Sequence, residues 1–280
     1  MKPVALEWVV AHGLPEWIVP GYGTLAGLAA LVAAALVLRL TERESGDARA
    51  TATTLLLAYA AALGGGYVYE WLRVTPAALM AGSIEPYLHV GRAAYGGLLF
   101  ATAVAALHLR RRGAPVTPFF DRIALGLGAV YALVRLGCFL EGCDYGTPTE
   151  LWVGVRYPEG SLAALHHAHL GWIPVGSASL PTHPTQLYEG AVGLLGSAAA
   201  LCVYPWIRRG RAPGGAAFAT WLVVYAIGRA AVEGLRADGG RGIYAGLSSA
   251  QWTSIAVVAA VTGWWLWRSR RAPEVAEEPA

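Results

Sequence analysis

Val134-Arg135-Leu136-Gly137-Cys138-Phe139-Leu140-Glu141-Gly142-Cys143-Asp144-Tyr145-Gly146-Thr147-Pro148-Thr149 ends a long apolar run and carries an arginine near that end. The run is apolar enough for lipid, and an ionisable side chain inside a membrane helix costs about 2.5–3.5 kcal/mol on insertion scales. Such a residue normally faces a polar cavity and marks a site for a charged partner. Tyr225-Ala226-Ile227-Gly228-Arg229-Ala230-Ala231-Val232-Glu233-Gly234-Leu235-Arg236 repeats the pattern with Arg229. Two cationic helix positions point to an anionic ligand. The competing reading for Arg135 is a side chain that snorkels to the outer headgroups.

Working outward, the chain is 56% hydrophobic and 14% charged, with a mean hydropathy of +0.46. That excludes an ordinary soluble domain and fits an all-α, polytopic membrane protein. A span needs about 20 apolar residues. Seven runs qualify, near 18–39, 51–72, 91–109, 120–140, 184–207, 214–235 and 248–267. The clusters Arg39/Arg43/Arg49, Arg110/Arg111/Arg112, Arg208/Arg209/Arg211 and Arg268/Arg270/Arg271 fall at alternate helix ends. By the positive-inside rule they share the cytoplasmic side, which puts the N-terminus outside and the C-terminus in the cytoplasm. This topology accounts for the pI near 8.8 without a nucleic-acid partner.

Residues 1–271 read as one transmembrane domain and 272–280 as a disordered cytoplasmic tail. The first 18 residues lack the basic and apolar regions of a cleaved signal peptide. The longest outer connection, 141–183, holds Trp152 and Trp172 and is too long for a turn, so it is expected to fold over the mouth of a cavity.

Glu233 lies four residues after Arg229, on the same helix face, where it can orient the guanidinium or accept a proton. Arg236 either completes that polar network or meets lipid phosphate at the surface. His183, Gln186, Tyr188 and Glu189 crowd the start of the fifth span, with Pro184 suited to its first turn. Either they cap the helix or, as their density suggests, they line the cavity. Cys138 and Cys143 can form a disulfide only if the helix breaks between them, and inert thiols are the favoured reading. Cys202 reads as core. His166-His167-X-His169 lacks a firm fourth ligand, so a solvated loop is favoured over a metal site. No metal or cofactor is expected.

Taken together, these segments resemble the prolipoprotein diacylglyceryl transferase family over nearly the whole chain. Gly21-Tyr22-Gly23 is similar to the family's early Tyr-Gly element, and Arg135 through Tyr145-Gly146 to Thr149 to its signature. His183-Pro184-Thr185-Gln186-Leu187-Tyr188-Glu189 is close to His-Pro-Ser-Gln-Leu-Tyr-Glu. Tyr225 with Arg229, Val232-Glu233 and Arg236 resembles the penultimate span, and Leu247-Ser248 with Gln251-Trp252 the start of the last. The resemblance implies an inner-membrane enzyme whose partners are phosphatidylglycerol, preprolipoprotein signal peptides and membrane lipid. It would transfer the diacylglyceryl group to a lipobox cysteine and release glycerol 1-phosphate.

By the same resemblance Arg135 and Arg229 clamp the phosphate and Glu233 orients Arg229. Tyr22, Tyr225 and Gly146 shape the pocket, and His183, Gln186, Tyr188 and Arg236 join the substrate-binding set. The chain departs from the pattern where Tyr95 stands for a histidine, Cys138 and Glu141 for asparagines, and Cys143 for a glutamate. Tyr95 takes the place of the family's base, but with a pKa of about 10 tyrosine is a weak one at neutral pH. Glu141 and His183 then remain as alternatives for the thiol's proton. The rival readings are a catalytically altered homologue of the same fold, which binds phospholipid or modifies another acceptor, and a small-solute transporter. No repeat supports the transporter.

Overall fold

A computed structural model of the chain describes residues 11, 22–44, 46–82, 94–237 and 242–270. Eight helices lie among them: α1 (Tyr22–Arg43), α2 (Ala48–Ala81), α3 (Ala94–Arg111), α4 (Val116–Glu141), α5 (Leu162–His169), α6 (Thr185–Arg208), α7 (Ala216–Glu233) and α8 (Ser249–Ser269). A two-residue hairpin, β1 (Ile243–Tyr244) with β2 (Leu247–Ser248), precedes α8 and is the only sheet among the described residues. The expected readings of residues 1–18 and of the tail 272–280 lie outside the described residues.

The burial pattern is that of a protein solvated by lipid. Leu31, Leu56, Leu195 and Ile227 are exposed, whereas Thr54, Asp121, Gln186 and Glu189 are buried. The chain is an all-α, multi-pass membrane protein. All seven expected spans correspond to helices, but among the described residues only α1, α2 up to Leu72, α4, α6 and α7 are long and apolar enough to cross by composition. The described part of α3 ends in Arg110 and Arg111, and α8 carries Ser249, Gln251 and several tryptophans, which lowers both. Helix α2 also runs to Ala81, well past the expected end at residue 72.

Close packing sets the arrangement: α4 lies against α1, α6 and α7, α6 against α7, and α2 against α3. Small residues let the backbones meet, as expected where lipid gives no hydrophobic drive to helix association. A Cβ on Gly128 of α4 would collide with the Gly193 carbonyl of α6, and one on Gly97 of α3 would sit 2.9 Å from the Ala62 oxygen of α2. Asp121, buried in α4, caps α7 from outside. Its carboxylate accepts from the N–H groups of Gly215 (2.7 Å), Ala217 (3.0 Å) and Phe218 (3.2 Å). At the same end Glu44 accepts from Arg122 (2.8 Å) and pairs with Arg208 (2.7 Å), which ties the α1–α2 link to α4 and α6.

Cys202 is exposed on α6 and is not core. Where most faces of a helix are apolar, sequence does not say which one turns to lipid. The 141–183 segment is a small folded head, in which Tyr145, Tyr157 and Ala163 pack with Phe139, Val155 and Ala237. The histidine run is helix α5 and not a solvated loop. His167 is fully buried and its Nδ1 accepts from the Leu180 N–H at 3.2 Å, while His166 turns to the Tyr145 hydroxyl. The His166 and His167 ring centroids lie 6.5 Å apart.

Candidate active site

Helix periodicity lines up the charged residues. Tyr131 and Arg135 on α4 are four apart, as are Tyr225, Arg229 and Glu233 on α7, so each set shares one face. Glu189 lies four residues into α6, whose first turn begins at Thr185; Pro184 stands one place earlier than expected, at the N-cap. The last contributors come from non-helical backbone. Gly142 ends α4 with φ 73°, and Asp144 follows at φ 55°, a left-handed conformation that aspartate tolerates.

The first turn of α6 fixes that reversal. Thr185 Oγ1 donates to the Asp144 carbonyl at 2.6 Å, and Gln186 Nε2 donates to the Cys143 carbonyl. Beyond it, the Gly146 N–H donates to the His183 carbonyl (2.9 Å) and the Thr147 N–H to the Leu235 carbonyl (2.7 Å). Gly146 is required because a Cβ would lie 2.6 Å from the Leu235 oxygen and 2.7 Å from the His183 Cβ. This crossing brings Arg236, just past α7, beside Asp144.

The result is a buried network of three arginines and three carboxylates. Arg135 pairs with Asp144 (2.8 Å) and Glu189 (2.5 Å); Arg236 pairs with Asp144 (2.6 Å) and Glu189 (2.8 Å). Arg229 pairs with Glu233 and approaches Glu189 at 3.7 Å. The formal charges cancel, which is what burial of ions demands. Tyr131 joins the parts: its hydroxyl donates to Glu189 (2.8 Å), accepts from Arg135 (2.9 Å) and accepts from Tyr225 (2.7 Å), and Arg135 lies over its ring at 5.1 Å. Burial alone would raise the Asp144 carboxyl, but Arg135 and Arg236 more than reverse this and hold it below the usual carboxylate range.

Arg135, Arg229, Glu233, Arg236 and Tyr225 therefore meet. Tyr95 is one ring away, sharing a hydrogen bond with Ser254 Oγ (2.8 Å) and an edge contact with Tyr225. Glu141 is the half-buried last residue of α4, and the acid that this segment turns to Arg135 is Asp144. Gln186 is fully buried, its carboxamide donating to the Cys143 carbonyl and accepting from the Tyr157 hydroxyl (3.0 Å), so it latches this reversal to α6. His183 Nδ1 and the Tyr188 hydroxyl share a bond of 3.2 Å at half-buried positions. Tyr22 opens α1, and its side chain lies outside the described residues.

Cys138 and Cys143 are free thiols. A bond with Cys138, together with burial, pushes the Cys143 thiol up. Cys138, Cys143 and Asp144 bring ligand-type atoms within 4.8 Å of one another, but Arg135 already supplies the cation there, 2.8 Å from Asp144. Sequence reasoning missed Tyr131 and Asp144 and gave Glu189 no arginine partner. Tyr131 had a readable signal, one helical turn before Arg135.

Comparison with known proteins bears on what this network does. A family model described as prolipoprotein diacylglyceryl transferase matches residues 9–267. The chain is 25% identical to the phosphatidylglycerol–prolipoprotein diacylglyceryl transferase of Clostridium tetani, over 91% of this chain and 93% of that protein. It is 30% identical to the enzyme of that name from Synechococcus elongatus, over 78% and 73% of the two chains. It is 32% identical to that of Bifidobacterium longum subsp. infantis, over 73% and 66%.

Proposed function

The chain belongs to the prolipoprotein diacylglyceryl transferase family, and from that premise we propose that it moves the diacylglyceryl group of phosphatidylglycerol onto the lipobox cysteine of a preprolipoprotein. The carrying observation is the meeting of Arg135, Arg229 and Arg236 in one buried network. In the reaction the thiol sulfur attacks the carbon of the diacylglyceryl group that bears the phosphate ester oxygen. The carbon–oxygen bond breaks, its electrons go to the phosphate oxygen, and glycerol 1-phosphate leaves. The thiol proton is balanced by the phosphate monoester, with Glu141 and His183 as side chains able to relay it.

The charge that develops on the leaving oxygen is where fixed guanidiniums act, because in a site away from water they stabilise it without having to reorganise. Arginine's planar fork matches two phosphate oxygens at once. Glu233 and Glu189 hold Arg229 and Arg135 in place, and Tyr131 and Tyr225 fix the geometry from α4 and α7. The network lies at the ends of α4 and α7 opposite the basic clusters. This supports a site on the outer half of the bacterial inner membrane, with the N-terminus outside and the C-terminus in the cytoplasm.

The test uses purified protein in phosphatidylglycerol micelles with a lipobox peptide, measuring glycerol phosphate and lipidated peptide together. The wild type should release both, and Arg135→Ala and Arg229→Ala should abolish both. A wild type that forms no lipidated peptide would sink the reading; activity that survives both substitutions would sink the clamp.

A further inference from the structure

Arg135 and Arg236 are bridged twice, by two carboxylates of very different standing. Glu189 Oε2 and Oε1 receive Arg135 Nη2 (2.5 Å) and Arg236 Nη1 (2.8 Å). Asp144 Oδ2 and Oδ1 receive Arg135 Nη1 (2.8 Å) and Arg236 Nη2 (2.6 Å). Each guanidinium thus gives one nitrogen to each acid, in a closed ring of four charged groups. The Glu189 side chain is 1% exposed and also accepts from the Tyr131 hydroxyl, whereas that of Asp144 is 31% exposed. Two oxygens of one anion shared between two guanidiniums is also how a phosphodiester would present its two non-bridging oxygens.

We infer that Asp144 is a tethered stand-in for the substrate phosphate: its carboxylate occupies the anion seat between Arg135 and Arg236 and is displaced when the lipid phosphodiester binds. The inference rests on the proposed lipid chemistry and adds a specificity device to it. Asp144 is the acid that yields, because the other two are almost fully buried, Glu233 at 2% exposure. The movement is a side-chain rotation and not an opening of the loop. The backbone on both sides is held, by Thr185 on the Asp144 carbonyl, Gln186 on the Cys143 carbonyl and His183 on the Gly146 N–H.

Two consequences follow for turnover. A group that cannot satisfy both guanidiniums at once leaves a buried cation short of a partner, which disfavours weakly anionic headgroups. Once the carbon–oxygen bond has broken, the returning carboxylate competes with glycerol 1-phosphate for the same two donors, Arg135 Nη1 and Arg236 Nη2, and helps to expel it.

The experiment measures glycerol 1-phosphate binding by titration calorimetry of the detergent-purified full chain, and separately KM and kcat for phosphatidylglycerol with a lipobox peptide. Asp144→Asn removes the competing charge and should bind glycerol 1-phosphate about tenfold more tightly, equivalent to about 1.4 kcal/mol. KM should fall and kcat should fall with it as product release slows. Asp144→Ser should behave alike, and Glu189→Gln should not tighten binding. Damage to the fold does not produce tighter binding, so equal or weaker binding by both Asp144 variants overturns the inference. If either variant is unstable, inorganic phosphate in the buffer should restore its melting temperature, and failure to do so also overturns it. A wild type that binds the anion but transfers no lipid would sink the transferase reading alone, since the binding comparison needs no turnover.

Discussion

Replacing Glu189 by glutamine keeps the shape of the side chain and removes one charge from the centre of the network. Glu189 faces Arg135 at 2.5 Å, Arg236 at 2.8 Å and Arg229 at 3.7 Å, and accepts from Tyr131 at 2.8 Å. The glutamine amide would turn two N–H donors toward guanidiniums that have only donors of their own. Breaking a buried ion pair by removing one partner typically costs about 3–5 kcal/mol, most of it the penalty of the charge left behind. Glu189 has three guanidiniums around it and Glu233 is paired with Arg229, so Glu233→Gln should lie at the low end of that range and Glu189→Gln at the high end. The assay is thermal unfolding in detergent by tryptophan fluorescence, at one scan rate because membrane proteins commonly unfold irreversibly. The expected order of midpoints is wild type, then Glu233→Gln, then Glu189→Gln. A Glu189→Gln protein that melts with the wild type, or above Glu233→Gln, would refute the reasoning.

Gly146→Ala should cost about 1–3 kcal/mol through overpacking, because its Cβ would meet the Leu235 oxygen at 2.6 Å; a lower melting point together with a lower transfer rate is the readout, and an unchanged pair would disprove the tight crossing. Asp121→Ala should lose about 0.5–2 kcal/mol of capping at α7 while leaving KM alone. Asp121 and Arg135 are separated by about 21 Å of helix, so a changed KM would argue against that division. The Asp144 carboxyl is held below its ordinary value, so its stabilisation is present above an unfolded pKa of about 3.9 and is lost as pH falls through the depressed folded value. Acidification should therefore narrow the melting difference between wild type and Asp144→Asn, and a gap that widens instead would contradict the sign.

The legibility of this protein in its sequence divides by distance along the chain. Arg229 and Glu233 are one helical turn apart, and their pairing follows from spacing alone. The spans followed from hydropathy, and the two arginines stood out because lipid tolerates few charges. Asp144 could not be assigned, because its role needs the left-handed reversal after Gly142 and the return of residues 235–237 to the same spot. Gln186 reads as pocket lining because polar side chains at a helix start can cap, line or latch, and only the third dimension separates these roles. Cys202 was misplaced for a related reason: hydropathy says that a helix is in the membrane, not which of its faces meets lipid.

The order of the six charges along the chain bears on how the protein is made. Arg135, Asp144, Glu189, Arg229, Glu233 and Arg236 emerge from the ribosome in that sequence, and the running total passes through one positive, zero, one negative, zero, one negative and zero. At no stage of synthesis does the growing chain carry more than a single uncompensated charge from this set. Arg135, the costly residue of α4, is followed within nine positions by the aspartate that neutralises it. At about 5–20 residues per second that partner arrives within about two seconds, while Glu189 takes about 3–11 seconds. Of the three carboxylates in the network, Asp144 is thus the first to follow Arg135.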